Sequence, residues 1–156
     1  MATRSNIIVE DNSDRIQLYR HWDGYPEAVL PDFQKALPFA WTLPRFEATD
    51  FAAAIVRAWK EPSGGNIYIE GSAKGWESIS DSIAWIYLIR PERKAQSQST
   101  FPNRGGEPIV EVYDWQASLA QAHRNQVQPV PVMRAKLAAI REVLPDFYVI
   151  DNEVIS

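Results

Sequence analysis

The stretch Ile83 to Arg90, IAWIYLIR, constrains this chain more than any other. Ile83, Trp85, Tyr87 and Ile89 alternate with Ala84, Ile86, Leu88 and Arg90, so a strand here is mostly apolar on both faces. A strand with two apolar faces belongs in the middle of a sheet that is covered on both sides. The chain has 156 residues, the size of one ordinary domain. A domain of that size buries roughly 70% of the surface its unfolded chain exposes, which is enough for such a core.

The remaining elements follow from pattern. Asn6 to Glu10 and Arg15 to Trp22 are β-rich runs joined by Asp11-Asn12-Ser13-Asp14, which is turn chemistry, so a β-hairpin is expected. Along the second strand Ile16, Leu18, Arg20 and Trp22 share one face, and Gln17, Tyr19 and His21 the other. Asp23-Gly24-Tyr25-Pro26 then turns the chain. Glu27 to about Leu37 reads as helix, with Pro31 either in its first turn or restarting it. Thr49-Asp50 caps a second helix, Phe51 to Lys60, which Pro62-Ser63-Gly64-Gly65 stops. Asn66 to Glu70 and Pro108 to Trp115 read as further strands. Pro131 opens a last helix with Met133, Leu137, Ile140 and Leu144 on one face, and Phe147 to Asp151 closes the chain as a short strand. The expected fold is α+β: a single domain over residues 1–156, with a mainly antiparallel sheet and about three helices packed on it. There is no internal repeat and no linker between two cores.

Absences narrow the chemistry. With no cysteine, neither a disulfide nor a cysteine metal site can form, and two histidines cannot make a three-histidine zinc site. His21-x-Asp23 offers two metal ligands that nothing completes, so no metal and no cofactor are expected. A formal net charge of −4 argues against binding duplex DNA through bulk charge. The N-terminal segment lacks the apolar core of a secretory signal, no apolar run approaches a membrane span, and no Asn sits in a glycosylation sequon. A soluble protein of the cytoplasm, with no membrane partner, is the expectation. An N-terminal nucleophile fails because removal of Met1 exposes Ala2, which carries none.

Three features could carry a site. Arg20-His21-Trp22-Asp23-Gly24-Tyr25-Pro26 gathers a guanidinium, an imidazole, a carboxylate, an indole and a phenol where a strand ends. If the strand continues, His21 and Asp23 share a side, and the candidate catalytic set is His21 as base, Asp23 as its orienter and Arg20 as anion stabiliser. The same string is equally a structural turn: Asp23 in an Asx turn, Gly24 supplying backbone freedom, Trp22 and Tyr25 packing. Second, Arg90 and, in the long polar segment 91–106 that follows it, Arg93, Lys94 and Arg104 stand against Glu92 alone, a local net of +3 over 90–106 suited to phosphate oxygens. A solvated loop explains that charge as well. Third, Trp59 and Trp85 sit on apolar faces, whereas Trp41, Trp76 and Trp115 lie in or beside loops, as exposed binding aromatics do.

Thr3-Arg4-Ser5-Asn6-Ile7, then Tyr19 and His21-Trp22-Asp23-Gly24-Tyr25-Pro26-Glu27, resembles a set of small phage and prophage proteins of unknown function. These start with a similar TRSNI segment and carry HWDGYPE on the second strand. The N-terminal third carries the resemblance, and the aromatic strand around Trp85-Ile86-Tyr87 is similar in style. The resemblance implies a bacterial or viral cytoplasmic setting and no established activity.

The reading that follows is a non-catalytic accessory protein of phage type. It would bind a small anionic ligand, a nucleotide among the candidates, or a host protein, in a counter-defence role. Trp22, Tyr25, Arg90, Arg93, Lys94 and Arg104 are its candidate binding residues. The alternatives are a hydrolase or transferase using His21 and Asp23, and an inhibitor or adaptor with a flat protein interface. A homo-oligomer is compatible with all three.

Overall fold

The computed structural model describes residues 2–43, 45–60, 64–92, 107–117 and 129–140. Six strands form one mixed, mostly antiparallel sheet: β1 (Ser5–Glu10), β2 (Arg15–Arg20), β3 (Ile67–Ser72), β4 (Trp85–Pro91), β5 (Pro108–Asp114) and β6 (Met133–Lys136). Their spatial order is β3-β2-β1-β4-β5-β6, and the pair β1–β4 runs parallel. Two α-helices, α1 (Pro26–Ala36) and α2 (Ala48–Trp59), lie between β2 and β3 in sequence. The expected α+β class with a mainly antiparallel sheet is what the chain adopts.

β4 occupies the position its two apolar faces demand, between β1 and β5 near the middle of the sheet. On one face Ile7, Val9, Leu18, Tyr87, Ile89 and Val112 pack under the two helices, which contribute Val29, Leu30, Phe33, Phe51, Ile55 and Trp59. On the other, Ile8, Ile86, Leu88 and Tyr113 are covered by Ile79, Ile83, Trp76 and Trp115. The cover on this face comes largely from the connection between β3 and β4. That connection must cross β2 and β1 to reach β4, because β3 lies at the far edge.

The β1–β2 hairpin forms in the expected register, from Ser5 opposite Arg20 to Glu10 opposite Arg15. Its turn is locked by Asp11, whose Oδ1 accepts the amides of Ser13 and Asp14 at 2.7 and 2.8 Å. The other oxygen, Oδ2, accepts the Ala48 amide at 2.8 Å and so caps the start of α2. The expected Thr49-Asp50 cap is therefore corrected: α2 starts at Ala48, Glu47 makes no side-chain cap, and the capping oxygen arrives from the hairpin. Asp50 instead accepts the amide of Trp41 at 2.7 Å. Pro26 opens α1, and Pro31 is accommodated inside it. Pro31 stands five residues past Pro26, where its missing N–H would have bonded back to the carbonyl of Glu27.

Two further expectations are overturned. The expected helix does not start at Pro131: Met133–Lys136 is an edge strand paired antiparallel with β5, from Ile109 opposite Lys136 to Val112 opposite Met133. Met133 and Ala135 face the core under the helices, and a single 3-10 turn, Leu137–Ala139, follows. Trp115 is not exposed but 1% accessible, stacked on Trp76 with ring centroids 5.7 Å apart. The expected strand at 147–151 and residue Leu144 lie outside the described residues.

Asp11→Ala removes a turn acceptor and a helix cap together. It should lower stability by about 1–2 kcal/mol, read by urea unfolding. Asp11→Asn, which keeps one acceptor oxygen, should lose less.

Candidate functional site

The string from Arg20 to Pro26 forms a turn held from four sides. β2 ends at Arg20, earlier than expected, because the chain then bonds to Asn66 rather than continuing along β3. The His21 amide donates to the Asn66 carbonyl at 2.9 Å, and the Trp22 amide to Asn66 Oδ1 at 3.0 Å. Asn66 and Asp23 both hold left-handed backbone, with φ of 58° and 54°, a conformation Asn and Asp tolerate better than most residues. The Gly24 amide donates to the Thr3 carbonyl at 2.9 Å, and the buried Tyr87 hydroxyl donates to the Gly24 carbonyl at 2.7 Å. A Cβ on Gly24 would lie 2.7 Å from the Thr3 carbonyl oxygen and 2.8 Å from Ser5 Oγ, so this glycine is required by close approach.

Arg20 belongs to the scaffold. Its Nη1 donates to Asp32 Oδ2 of α1 at 2.8 Å, its Nε to the Trp22 carbonyl at 3.2 Å, and its guanidinium lies 4.8 Å from the Trp59 ring of α2. Trp59 in turn donates from Nε1 to the Asp32 carbonyl at 2.8 Å. Lys35 also reaches Asp32, at 3.1 Å, from the solvent side.

Around this group opens a cleft of about 300 Å³. Arg20, Trp22 and Asp23 line it together with Asp32, Lys35 and Lys60, with Trp59 and Asn66 in its wall. Three cations stand against two carboxylates. Trp22 is 37% exposed, and Lys60 Nζ makes a 3.4 Å bond to the Ile67 carbonyl. The cleft therefore offers an accessible indole, an excess positive charge and backbone polar groups, which together can hold an anion that carries a ring.

The other candidates are placed differently. His21, just past β2, does not line the cleft: its Nδ1 lies 2.7 Å from the Tyr19 hydroxyl, and its ring meets Trp22 edge-on with centroids 5.6 Å apart. Among the described residues no hydrogen bond joins His21 to Asp23, so the base-and-orienter arrangement is not formed. Tyr25 is 40% exposed at the start of α1, outside the cleft lining. Arg90 ends β4 in an ion pair, 3.0 Å from Glu111 Oε1, while Arg134 holds Glu111 Oε2 at 2.9 Å. Burial works against the Arg90 charge, but its hydrogen bond to Glu111 and the Glu111 charge outweigh this and raise its pKa. Burial, followed by the same carboxylate, pushes the Tyr113 phenol well above its usual range. Arg93, Lys94 and Arg104 lie outside the described residues. Among the described residues no group of three or more His, Asp or Glu side chains could hold a metal ion, and no helix is long and apolar enough to cross a membrane.

Sequence reasoning missed Asp32, Lys35, Lys60 and Asn66. The one available signal was Asp32 and Lys35, a charge pair three residues apart on the first helix.

Gly24→Ala should cost about 1–3 kcal/mol, because the atoms it meets include backbone that cannot swing aside. Chemical denaturation reads the loss. Comparison of the chain with protein-family models, with curated proteins and with solved structures finds no match.

Proposed function

We propose that the chain binds a small anionic ligand with a planar ring, of nucleotide type, in the cleft beneath Trp22. One observation carries this reading: an accessible indole and three cationic side chains open on the same recess of about 300 Å³. That volume is at the lower end of small-molecule sites and suits a ligand of one ring and its phosphate. The ring would stack on Trp22, whose indole face accepts any base. The phosphate would meet Lys35 and Lys60, whose side chains are exposed, whereas the Arg20 guanidinium is buried against Asp32; Lys35 would bring its own contact to Asp32 with it. Asp23 would stand beside the ring, where a carboxylate can accept from an exocyclic amine or a ribose hydroxyl.

This binding needs no proton-transfer residue, and the placement of His21 away from the cleft agrees with a binder rather than a hydrolase or transferase. In the phage setting that the TRSNI and HWDGYPE segments suggest, sequestering a nucleotide signal of the host would be a counter-defence role.

Titration calorimetry of the full chain against linear and cyclic mononucleotides tests the proposal. Binding should weaken with added salt. Trp22→Ala should reduce affinity by about 1–3 kcal/mol, the worth of one stacked base. Lys60→Gln should reduce it while leaving the melting temperature unchanged. Absence of heat with every nucleotide would sink the reading.

A further inference from the structure

A second recess lies on the opposite face of the sheet, where the β3–β4 connection passes over β2 and β1. Its volume is about 280 Å³, and it shares no lining residue with the cleft of Trp22. The sheet supplies Arg4, Asn6, Gln17, Tyr19 and Glu70, and the crossing connection supplies Ser78, Ser80 and Ser82. Further along the same face, under β1, β4 and β5, the space beneath the connection is filled by Ile8, Ile83, Ile86 and Trp115. Here it is open and lined by polar groups.

Two of those groups have capacity to spare. Glu70 Oε1 accepts from Asn6 Nδ2 at 2.7 Å and from Gln17 Nε2 at 2.9 Å, which fixes the carboxylate's orientation. Its Oε2 accepts nothing among the described residues. Asn6 is itself 2% accessible, and its amide also donates to the Leu18 carbonyl at 3.0 Å, so the support for Glu70 is rigid. Arg4 is half-buried just before β1, and its guanidinium has no hydrogen-bond or ion-pair partner among the described residues. Its carbonyl, by contrast, is engaged by the amides of Ala84 and Trp85, which holds its backbone in place.

We infer that this recess is a binding site for a zwitterion of amino-acid size, with the carboxylate on Arg4 and the ammonium on Glu70. The lining carries one permanent cation and one carboxylate, so it has no net charge to attract a simple anion or cation. A ligand bearing both signs satisfies both groups at once. The guanidinium fork matches a carboxylate in two-point geometry, and the free Glu70 oxygen accepts from an ammonium. Ser80 and Ser82, whose hydroxyls lie 2.9 Å apart, offer further donors to the ligand carboxylate from the crossing connection. Tyr19, whose hydroxyl lies 2.7 Å from His21 Nδ1, lines the site.

The test is calorimetry of the full chain against the free L-amino acids. For the tightest binder, the N-acetyl and carboxamide derivatives follow. Either derivative should bind about ten- to a hundredfold more weakly, as expected for losing a charge-assisted hydrogen bond. Arg4→Gln should weaken the free amino acid by a similar factor and abolish the preference for carboxylate over carboxamide. Glu70→Gln keeps an acceptor for Asn6 and Gln17, so the fold is retained, and it should abolish the preference for the free amine. Both variants should melt as the parent does and should bind nucleotide unchanged, which separates this site from the cleft of Trp22. No binding by any amino acid at millimolar concentration overturns the inference. So does binding that Arg4→Gln and Glu70→Gln leave unaltered.

Discussion

The guanidinium of Arg20 lies almost wholly out of water at the end of β2, with 6% of its side chain accessible. A charge in that position is tolerable only when it is paired and its donors are used. Asp32 on α1, the Trp22 carbonyl in the turn and the ring of Trp59 on α2 meet that requirement between them. Because each partner comes from a different element, the charge fixes how both helices sit on the sheet and where the turn after β2 points. An apolar side chain at this position would fill space without specifying any of these directions. Placing Arg20 there also explains the asymmetry of the cleft. Its deep wall is a neutralised ion pair, and at the rim stand Lys35, which also reaches Asp32, and Lys60, which bonds the Ile67 carbonyl.

A sheet whose central strand is apolar on both sides needs two covers, and this chain makes them from different material. The helices cover one face with a continuous apolar cluster. The other is covered by an irregular connection that must travel from the edge strand β3 across two strands to β4. An irregular segment carries many backbone and hydroxyl groups that need partners, so it cannot seal a wholly apolar surface along its length. Its second half does so, with Ile79 and Ile83 inserted beside Ile8 and Ile86. Near β2 and β3 it lies over Asn6, Gln17, Tyr19 and Glu70 instead. Both recesses thus arise where cover and sheet part: one between the helices and the turn, one beneath the crossing connection.

Much of this was legible in the sequence wherever local pattern and tertiary environment agree. The two-sided strand, the hairpin and both helices follow from periodicity and turn chemistry, because their neighbours reinforce local preference. Met133–Lys136 shows the opposite case. Met133, Leu137, Ile140 and Leu144 match a helical face, yet Met133 and Ala135 also match the two-residue alternation of a strand. Over so short a stretch both periods fit, and the open edge of β5 decides between them by offering hydrogen bonds that a helix would leave unused. Trp115 was misplaced for a related reason. It follows β5 directly, and only the crossing connection, whose path is a property of strand order, brings Trp76 over it.

The candidate site was legible as a place more than as a mechanism. Arg20 ends β2, and the turn that follows, with Asp23 in left-handed backbone, sends its members in different directions. What read as one catalytic cluster in sequence is therefore split past the end of β2: Arg20, Trp22 and Asp23 line the cleft, while His21 stays with Tyr19, its ring edge-on to Trp22 at 5.6 Å. Each half then acquires partners from distant parts of the chain: Asp32, Lys35 and Lys60 from the helices, Arg4 from just before β1 and Glu70 from β3. The division favours recognition over acid–base chemistry in both halves. Each recess holds groups that orient charge, and in neither does a histidine reach a carboxylate among the described residues.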